Sequence, residues 1–135
     1  MKIAKTKDKT RQGRNMIKDF NDLEVWQQAK KLVIAVYGIT KGFPREELFS
    51  LTDQLKRAAN SVCANIAEGF SRYHRKDKIK FYYNARGSVS EVKSHIFVAK
   101  ELNYLSSEVA DGIVLQYDSV NKMLNGMINS LSRFS

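Results

Sequence analysis

The sequence predicts an all-α protein folded as an antiparallel, up-down-up-down four-helix bundle. Apolar residues recur every three or four positions in four separate segments, the period of helices that bury one face. The 135 residues include one proline and seven glycines, which favours long helices with short connections. We place the bundle at residues 19–135 and a flexible basic arm at residues 1–18.

The first two helices are predicted from their apolar stripes and their capping residues. The first begins near Asn21 or Asp22, ends near Thr40, and has Trp26 as a core anchor. A short turn starts at Pro44, and Ser50-x-x-Asp53 resembles the capping box of a second helix. The inward stripes are Val25, Ala29, Leu32, Val36 and Ile39, then Leu51, Leu55, Ala58, Val62 and Ile66.

The stretch Asn60–Gly69 is rich in small residues, which allow two helices to approach closely. We interpret it as the end of the second helix, with Gly69 releasing the chain into a basic connection. Gly87 and Ser88 interrupt the third stripe with similarly small side chains, so the two zones are expected to face each other.

The last two helices follow the basic connection. Asp77 or Ser71 caps the third, and Ser106 or Ser107 caps the fourth. Their stripes are Ile79, Tyr82, Ala85, Val89, Val92, Ile96, Ala99 and Leu102, then Val109, Ile113, Tyr117, Val120, Leu124, Met127 and Leu131.

Two segments account for the formal net charge of +9. Residues 1–18 hold seven basic residues against one acid, and residues 72–80 hold five against one. Such patches attract phosphate backbones or anionic surfaces. The arm is interpreted either as a solubilising tail or as a nucleic-acid contact.

Catalytic, metal and cofactor motifs are not found. His74 and His95 lie 21 positions apart in sequence, so they are not expected to share a metal-ligating helix face. The single Cys63 lies on an inner helix face, where a thiol acts as an inert small hydrophobe. No apolar run approaches the length of a membrane span. We therefore expect a cytoplasmic protein without enzymatic activity, cofactor or membrane partner.

Several polar residues lie beside the apolar stripes of the second and third helices. Charged groups at helix seams usually pair with one another or with amides, because an unpaired buried polar group is costly. The sequence predicts a structural polar network of Arg57, Asn65, Glu68, Arg86 and Glu91.

The candidate nucleic-acid contacts come from both basic segments. Aromatic residues interleave the second segment; Phe81 and Tyr82 are assigned to the core, whereas Tyr73 is either a stacking platform or a plain loop residue. The candidates are Arg72, Tyr73, Arg75, Lys76, Lys78, Lys80, Lys5, Lys7, Lys9, Arg11 and Arg14. No base-reading motif accompanies them, so binding by charge and shape is expected.

Three stretches resemble the bacterial four helix bundle protein family, whose members are often encoded in intervening sequences of 23S ribosomal RNA genes. They are Leu51–Ser61, Asn65–Gly69 and Ala85–Val92, with further likeness at Leu23–Trp26, Phe43-Pro44 and Leu102–Leu105. The likeness spans roughly residues 20–125. Cys63 departs mildly from it, since proline or another small residue is expected there.

This resemblance implies a bundle that assembles as a ring-like homopentamer and has no catalytic residues. The related accessory protein of diversity-generating retroelements is a basic pentamer that binds nucleic acid and a reverse transcriptase. Two functions are therefore expected as alternatives. One is nucleic-acid binding, with RNA favoured over DNA; the other is an adaptor that docks a protein partner such as a reverse transcriptase.

Overall fold

The computed structural model describes residues 6–8, 11–12 and 15–133. Within them lie the four α-helices α1 (Glu24–Thr40), α2 (Leu51–Ser71), α3 (Arg75–Glu101) and α4 (Ser107–Ser132). Three short strands precede the helices and pair antiparallel in chain order: β1 (Thr6–Asp8), β2 (Arg11–Gln12) and β3 (Asn15–Met16). The predicted all-α class with four helices is confirmed for the body of the chain, and the flexibility of the arm stays a prediction.

One hydrophobic core joins the four helices. Helix α2 packs against α1 and α3, and α4 packs against α1 and α3. The largest fully buried side chains are Tyr117, Leu32, Leu55, Ile66, Ile96 and Leu124. Burying each such aliphatic side chain contributes roughly 1.5–3 kcal/mol, so the predicted stripes supply most of the driving force for folding.

The predicted stripes are wrong at the connection between α3 and α4. Leu102 and Val109 are 48% and 42% exposed, because they lie where the chain leaves one helix and enters the next. Ala110 is fully buried and takes the inward position predicted for Val109. Trp26 is partly buried against the core, as predicted, and meets the Phe20 ring edge-on at 5.1 Å between ring centroids.

The start of α1 differs from the prediction. Asp19 caps a 3₁₀ turn at Phe20–Asp22, and the Asp22 carboxylate accepts the backbone N–H of Asp19 in return. The N-cap of α1 itself is Leu23, which has no side-chain acceptor. Asn21 and Asp22 therefore do not cap α1, because the preceding turn has already taken up the nearby acidic side chains.

Helix α2 has Ser50 at its N-cap position, but the predicted capping box does not form. The Ser50 side chain makes no capping hydrogen bond. The backbone N–H of Leu51 donates instead to Glu47 Oε1 at 3.3 Å, and the Asp53 carboxylate pairs with Arg57 at 2.9 Å. Glu47 lies in the short turn Arg45–Glu47, which was predicted to follow Pro44. Its carboxylate thus accepts the first backbone N–H of α2.

Helix α3 begins after His74, so neither Asp77 nor Ser71 is its cap. Asp77 lies inside the first turn, and the Ser71 hydroxyl donates to the Glu68 carbonyl within α2. Helix α4 confirms Ser106 as its cap, since the Ser106 hydroxyl accepts the Val109 N–H at 3.1 Å.

The two small-residue zones face each other, as predicted. The hydroxyls of Ser61 and Ser88 lie 2.8 Å apart between α2 and α3, and the Asn65 amide donates to the Ser61 hydroxyl at 3.1 Å. Gly69 is not the end of α2, which continues to Ser71. A Cβ atom at Gly69 would lie 2.6 Å from Tyr82 Cε1, so this glycine permits close packing of α3.

Candidate nucleic-acid interface

The basic segment forms the turn between α2 and α3 together with the first turns of α3. Arg72, Tyr73, His74, Arg75, Lys76 and Lys80 are exposed there. Because α3 begins at Arg75, the partial positive charge of its N-terminus adds to that of the side chains. We call the exposed side chains of residues 72–80 the basic turn.

Lys78 does not belong to the exposed set. Its ammonium donates to the Phe70 carbonyl at 2.7 Å and approaches the Gly69 carbonyl at 3.5 Å. Partial burial lowers the pKa of this ammonium. Lys78 therefore ties α3 to the end of α2 and is less accessible than its neighbours, and its role in nucleic-acid binding stays a prediction.

Arg72 is held in place by two neighbours. Its guanidinium lies 2.8 Å from the Glu68 carboxylate and 4.7 Å from the centre of the Phe81 ring. The side chain remains 44% exposed, so its outer face is open to a ligand. Phe81 is half-buried beneath it and Tyr82 is buried, which confirms the assignment of Tyr82 to the core.

Tyr73 is 90% exposed at the tip of the connection. Its ring contacts the His74 imidazole edge-on, with 5.0 Å between ring centroids. An aromatic face in this position is open for stacking with an unpaired base. Two lysines lie on the adjoining surface of α3, since Lys76 and Lys80 are one helical turn apart and both exposed.

The arm candidates are only partly described. Lys7 lies in β1 and Arg11 in β2, but their side chains are outside the described part of the chain. Lys5, Lys9 and Arg14 lie outside the described residues altogether. Their role in binding stays a prediction.

The predicted polar network is not formed among the described residues of this chain. Arg57 pairs with Asp53, Asn65 bonds to Ser61, and Glu68 pairs with Arg72. The Glu91 side chain is 58% exposed and lies 3.7 Å from His95 Nε2, and the Arg86 guanidinium lies 5.5 Å from the centre of the Tyr83 ring. Short-range partners on the same helix satisfy most of these groups, which is why the longer-range pairing is wrong.

Within the described residues, no group of three or more His, Cys, Asp and Glu side chains is placed to hold a metal ion. Cys63 is partly buried against the core, and burial raises the pKa of its thiol to about 11. In the same part of the chain, none of the helices is long and apolar enough to cross a membrane.

A second group of cations was not predicted from the sequence. Lys41, Arg45 and Lys56 line a cavity of about 410 Å³ between the end of α1 and the start of α2. They are spread over 16 positions. No short motif marks them, and only the return of the chain after Pro44 brings them together.

The fold and the exposed basic turn define a small helical protein with a cationic surface. The family model described as "23S rRNA-intervening sequence protein" matches residues 21–126, and the chain belongs to this family. The match agrees with the resemblance found at roughly residues 20–125.

A solved structure shares the fold. It is a protein of unknown function from the S23 ribosomal protein family of Bacteroides thetaiotaomicron, determined at 1.70 Å resolution. The two chains are 22% identical with a TM-score of 0.72, covering 77% of this chain and 97% of the other. No curated protein sequence matches this chain.

Proposed function

We propose that this chain is a non-enzymatic, nucleic-acid-binding protein that prefers RNA and contacts it by charge and shape. The observation that carries the proposal is the basic turn, where exposed cations flank the exposed Tyr73 along the chain. Cations supply phosphate contacts that do not depend on sequence, and an aromatic ring stacks on any unpaired base. Membership in the 23S rRNA-intervening sequence family supports RNA as the ligand.

The proposal is tested by fluorescence anisotropy with a labelled single-stranded RNA. We expect the affinity to fall steeply as salt rises, because bound cations release counterions from the RNA. The variant Lys76→Gln/Lys80→Gln should bind more weakly and with a shallower salt slope, reduced by about one to two units. Lys122→Gln removes one exposed lysine from α4 and controls for the loss of a single charge away from the basic turn.

The outcomes of this titration separate two cases. No binding at low salt would remove the proposal. A loss of binding free energy in Lys122→Gln about half that of the double variant would show that net charge, rather than the basic turn, governs binding. A matched DNA strand measures the preference for RNA.

We further infer that the bundle is antiparallel and assembles with itself, as a ring-like homopentamer according to the family resemblance. Two ion pairs support the antiparallel arrangement of α3 and α4. Lys93 pairs with Asp118 at 2.6 Å and Lys100 with Asp111 at 2.9 Å, so rising numbers on α3 meet falling numbers on α4.

Exposed apolar side chains support the self-association. Ile34 on α1 and Leu115 on α4 are 67% and 71% exposed. Multi-angle light scattering of the full chain gives the oligomer mass, and Ile34→Asp or Leu115→Asp should reduce it. A monomeric wild-type chain would exclude the assembly.

The alternative function is an adaptor for a protein partner such as a reverse transcriptase. It is favoured by Phe49, which is 91% exposed beside the half-exposed Leu48 in the connection before α2. A large apolar side chain in such a position suits a protein interface. Co-purification of one protein partner that resists nuclease and is lost in Phe49→Ser would favour the adaptor. Loss of that partner after nuclease treatment would favour nucleic-acid binding.

A further inference from the structure

The cavity between the end of α1 and the start of α2 has the properties of an anion-binding pocket. It is lined in part by the cations Lys41, Arg45 and Lys56, and no carboxylate lines it. None of the three forms an ion pair within the described part of the chain, where the ion pairs involve other lysines and arginines. Three like charges at one cavity repel one another, and an anion relieves that repulsion.

Glu47, two positions after Arg45, directs its carboxylate away from the cavity. Glu47 accepts the Leu51 N–H through Oε1 and the Tyr104 hydroxyl, at 2.8 Å, through Oε2. These two bonds direct both carboxylate oxygens to the start of α2 and to Tyr104. Glu47 therefore does not neutralise the three cations.

Several lining residues of the cavity are held by contacts with one another or with neighbouring side chains. The Lys56 ammonium lies 4.7 Å from the centre of the Tyr37 ring, and the Asn60 amide donates to the Tyr37 hydroxyl at 3.0 Å. Phe43 is buried and packs on Tyr104, with 5.4 Å between ring centroids, which fixes the entry to Pro44. Side chains that already make such contacts lose less conformational entropy when a ligand binds.

We propose that this pocket binds a phosphate group, with Lys41, Arg45 and Lys56 as its charge partners and the Thr52 side chain at its wall. Guanidinium and ammonium groups make strong, charge-assisted hydrogen bonds to phosphate oxygens. A cavity of about 410 Å³ leaves room for an organic group attached to the phosphate. The ligand class is a phosphate ester, either a free nucleotide or the 5′-phosphate end of a strand.

This pocket is separate from the basic turn. The two lie at opposite ends of α2, whose 21 residues rise about 30 Å. The inference therefore stands independently of the proposed RNA contact, and variants at one end leave the other unchanged.

The test is an amide chemical-shift titration of the ¹⁵N-labelled full chain with inorganic phosphate, at constant ionic strength in chloride. We expect saturable shifts confined to residues near Lys41, Arg45 and Thr52. Arg45→Gln should weaken phosphate binding about tenfold, the effect of losing one charge-assisted contact. Arg45 is exposed and its side chain forms no ion pair in the described residues, so this variant should fold normally.

Controls and ligand arms complete the experiment. Lys122→Gln should bind phosphate like the wild type, and Lys56→Gln should weaken binding as Arg45→Gln does. Shifts that never saturate, that appear equally at all exposed lysines, or that persist in Arg45→Gln would overturn the proposal. A nucleoside monophosphate that binds as tightly as a 5′-phosphorylated oligonucleotide assigns a free nucleotide, whereas tighter binding of the oligonucleotide than of its 5′-hydroxyl form assigns a strand end.

Discussion

Gly69 on α2 and Tyr82 on α3 are in contact so close that no side chain fits between them. A Cβ atom at position 69 would lie 2.6 and 2.9 Å from two ring carbons of Tyr82 and 3.2 Å from Phe81 Cβ. Tyr82 is 2% exposed, so its ring has little room to move away. Helices α2 and α3 can therefore pack this closely only because residue 69 is a glycine, which has no side chain.

A Cβ atom at position 69 should cost about 1–3 kcal/mol, the usual cost of overpacking a filled core. Alanine gains roughly 1 kcal/mol over glycine in a helix interior, so we expect Gly69→Ala to destabilise the protein by up to about 2 kcal/mol. Gly87→Ala is the matched control, since nothing lies within 4 Å of its Cβ position and α3 should be stabilised. Urea unfolding of both variants measures the difference, and an equally stable Gly69→Ala would contradict the close contact.

The Ser61–Ser88 hydrogen bond should contribute a measurable coupling between α2 and α3. We expect a double-mutant cycle with Ser61→Ala and Ser88→Ala to give about 0.5–1.5 kcal/mol, the net worth of one such bond. Ser90→Ala, at an exposed position on α3, should show no coupling with Ser61→Ala. Additive single-mutant effects would mean that the 2.8 Å contact carries no net energy.

Lys78→Met should lower stability while affecting RNA affinity less than Lys76→Gln. Its ammonium binds the Phe70 carbonyl at 2.7 Å, and a hydrogen bond from a charged group contributes about 1.5–3 kcal/mol before solvent screening reduces it. Thermal unfolding and RNA titration of the two variants separate the roles. A larger loss of RNA affinity in Lys78→Met, with unchanged stability, would return Lys78 to the contact surface.

Cys63 should react slowly with iodoacetamide in the folded protein. Burial raises the pKa of its thiol from the usual 9.0 to about 11, which lowers the thiolate fraction about 100-fold near neutral pH. The urea-unfolded chain is the control and should react at the rate of an ordinary cysteine. The folded protein loses the Cys63 thiol proton at a higher pH than the unfolded chain does. The contribution of this thiol to the free energy of unfolding should therefore fall as pH rises from 9.0 towards about 11. Rapid alkylation of the folded chain would contradict the burial.

The four helices were predictable because their apolar residues recur every three or four positions, the spacing of an amphipathic α-helix. Leu51, Leu55, Ala58 and Val62 are an example. Local hydrogen bonds were less predictable, since several acceptors compete for one donor. At the start of α2, Glu47 rather than Ser50 bonds the first free N–H.

The basic turn could be located from the sequence, but the surroundings of its individual side chains could not. Charge density alone marked residues 72–80, but nothing in the pattern separates the exposed Lys76 from Lys78, which bonds to carbonyls. Gly69 looked like a helix end because glycine commonly follows one, and the approach of Tyr82 comes from a residue 13 positions away. Both errors arise from contacts that form only when α2 and α3 pack.

The bond from Lys78 to the end of α2 also has an electrostatic consequence for the surface above it. The last carbonyls of a helix carry a partial negative charge of about half an elementary unit, which repels phosphate. The Lys78 ammonium lies against the Phe70 carbonyl and offsets this charge, while the adjacent start of α3 contributes the opposite sign. A polyanion that approaches the basic turn therefore meets the positive N-terminal end of α3. The negative C-terminal end of α2 is offset by the Lys78 ammonium.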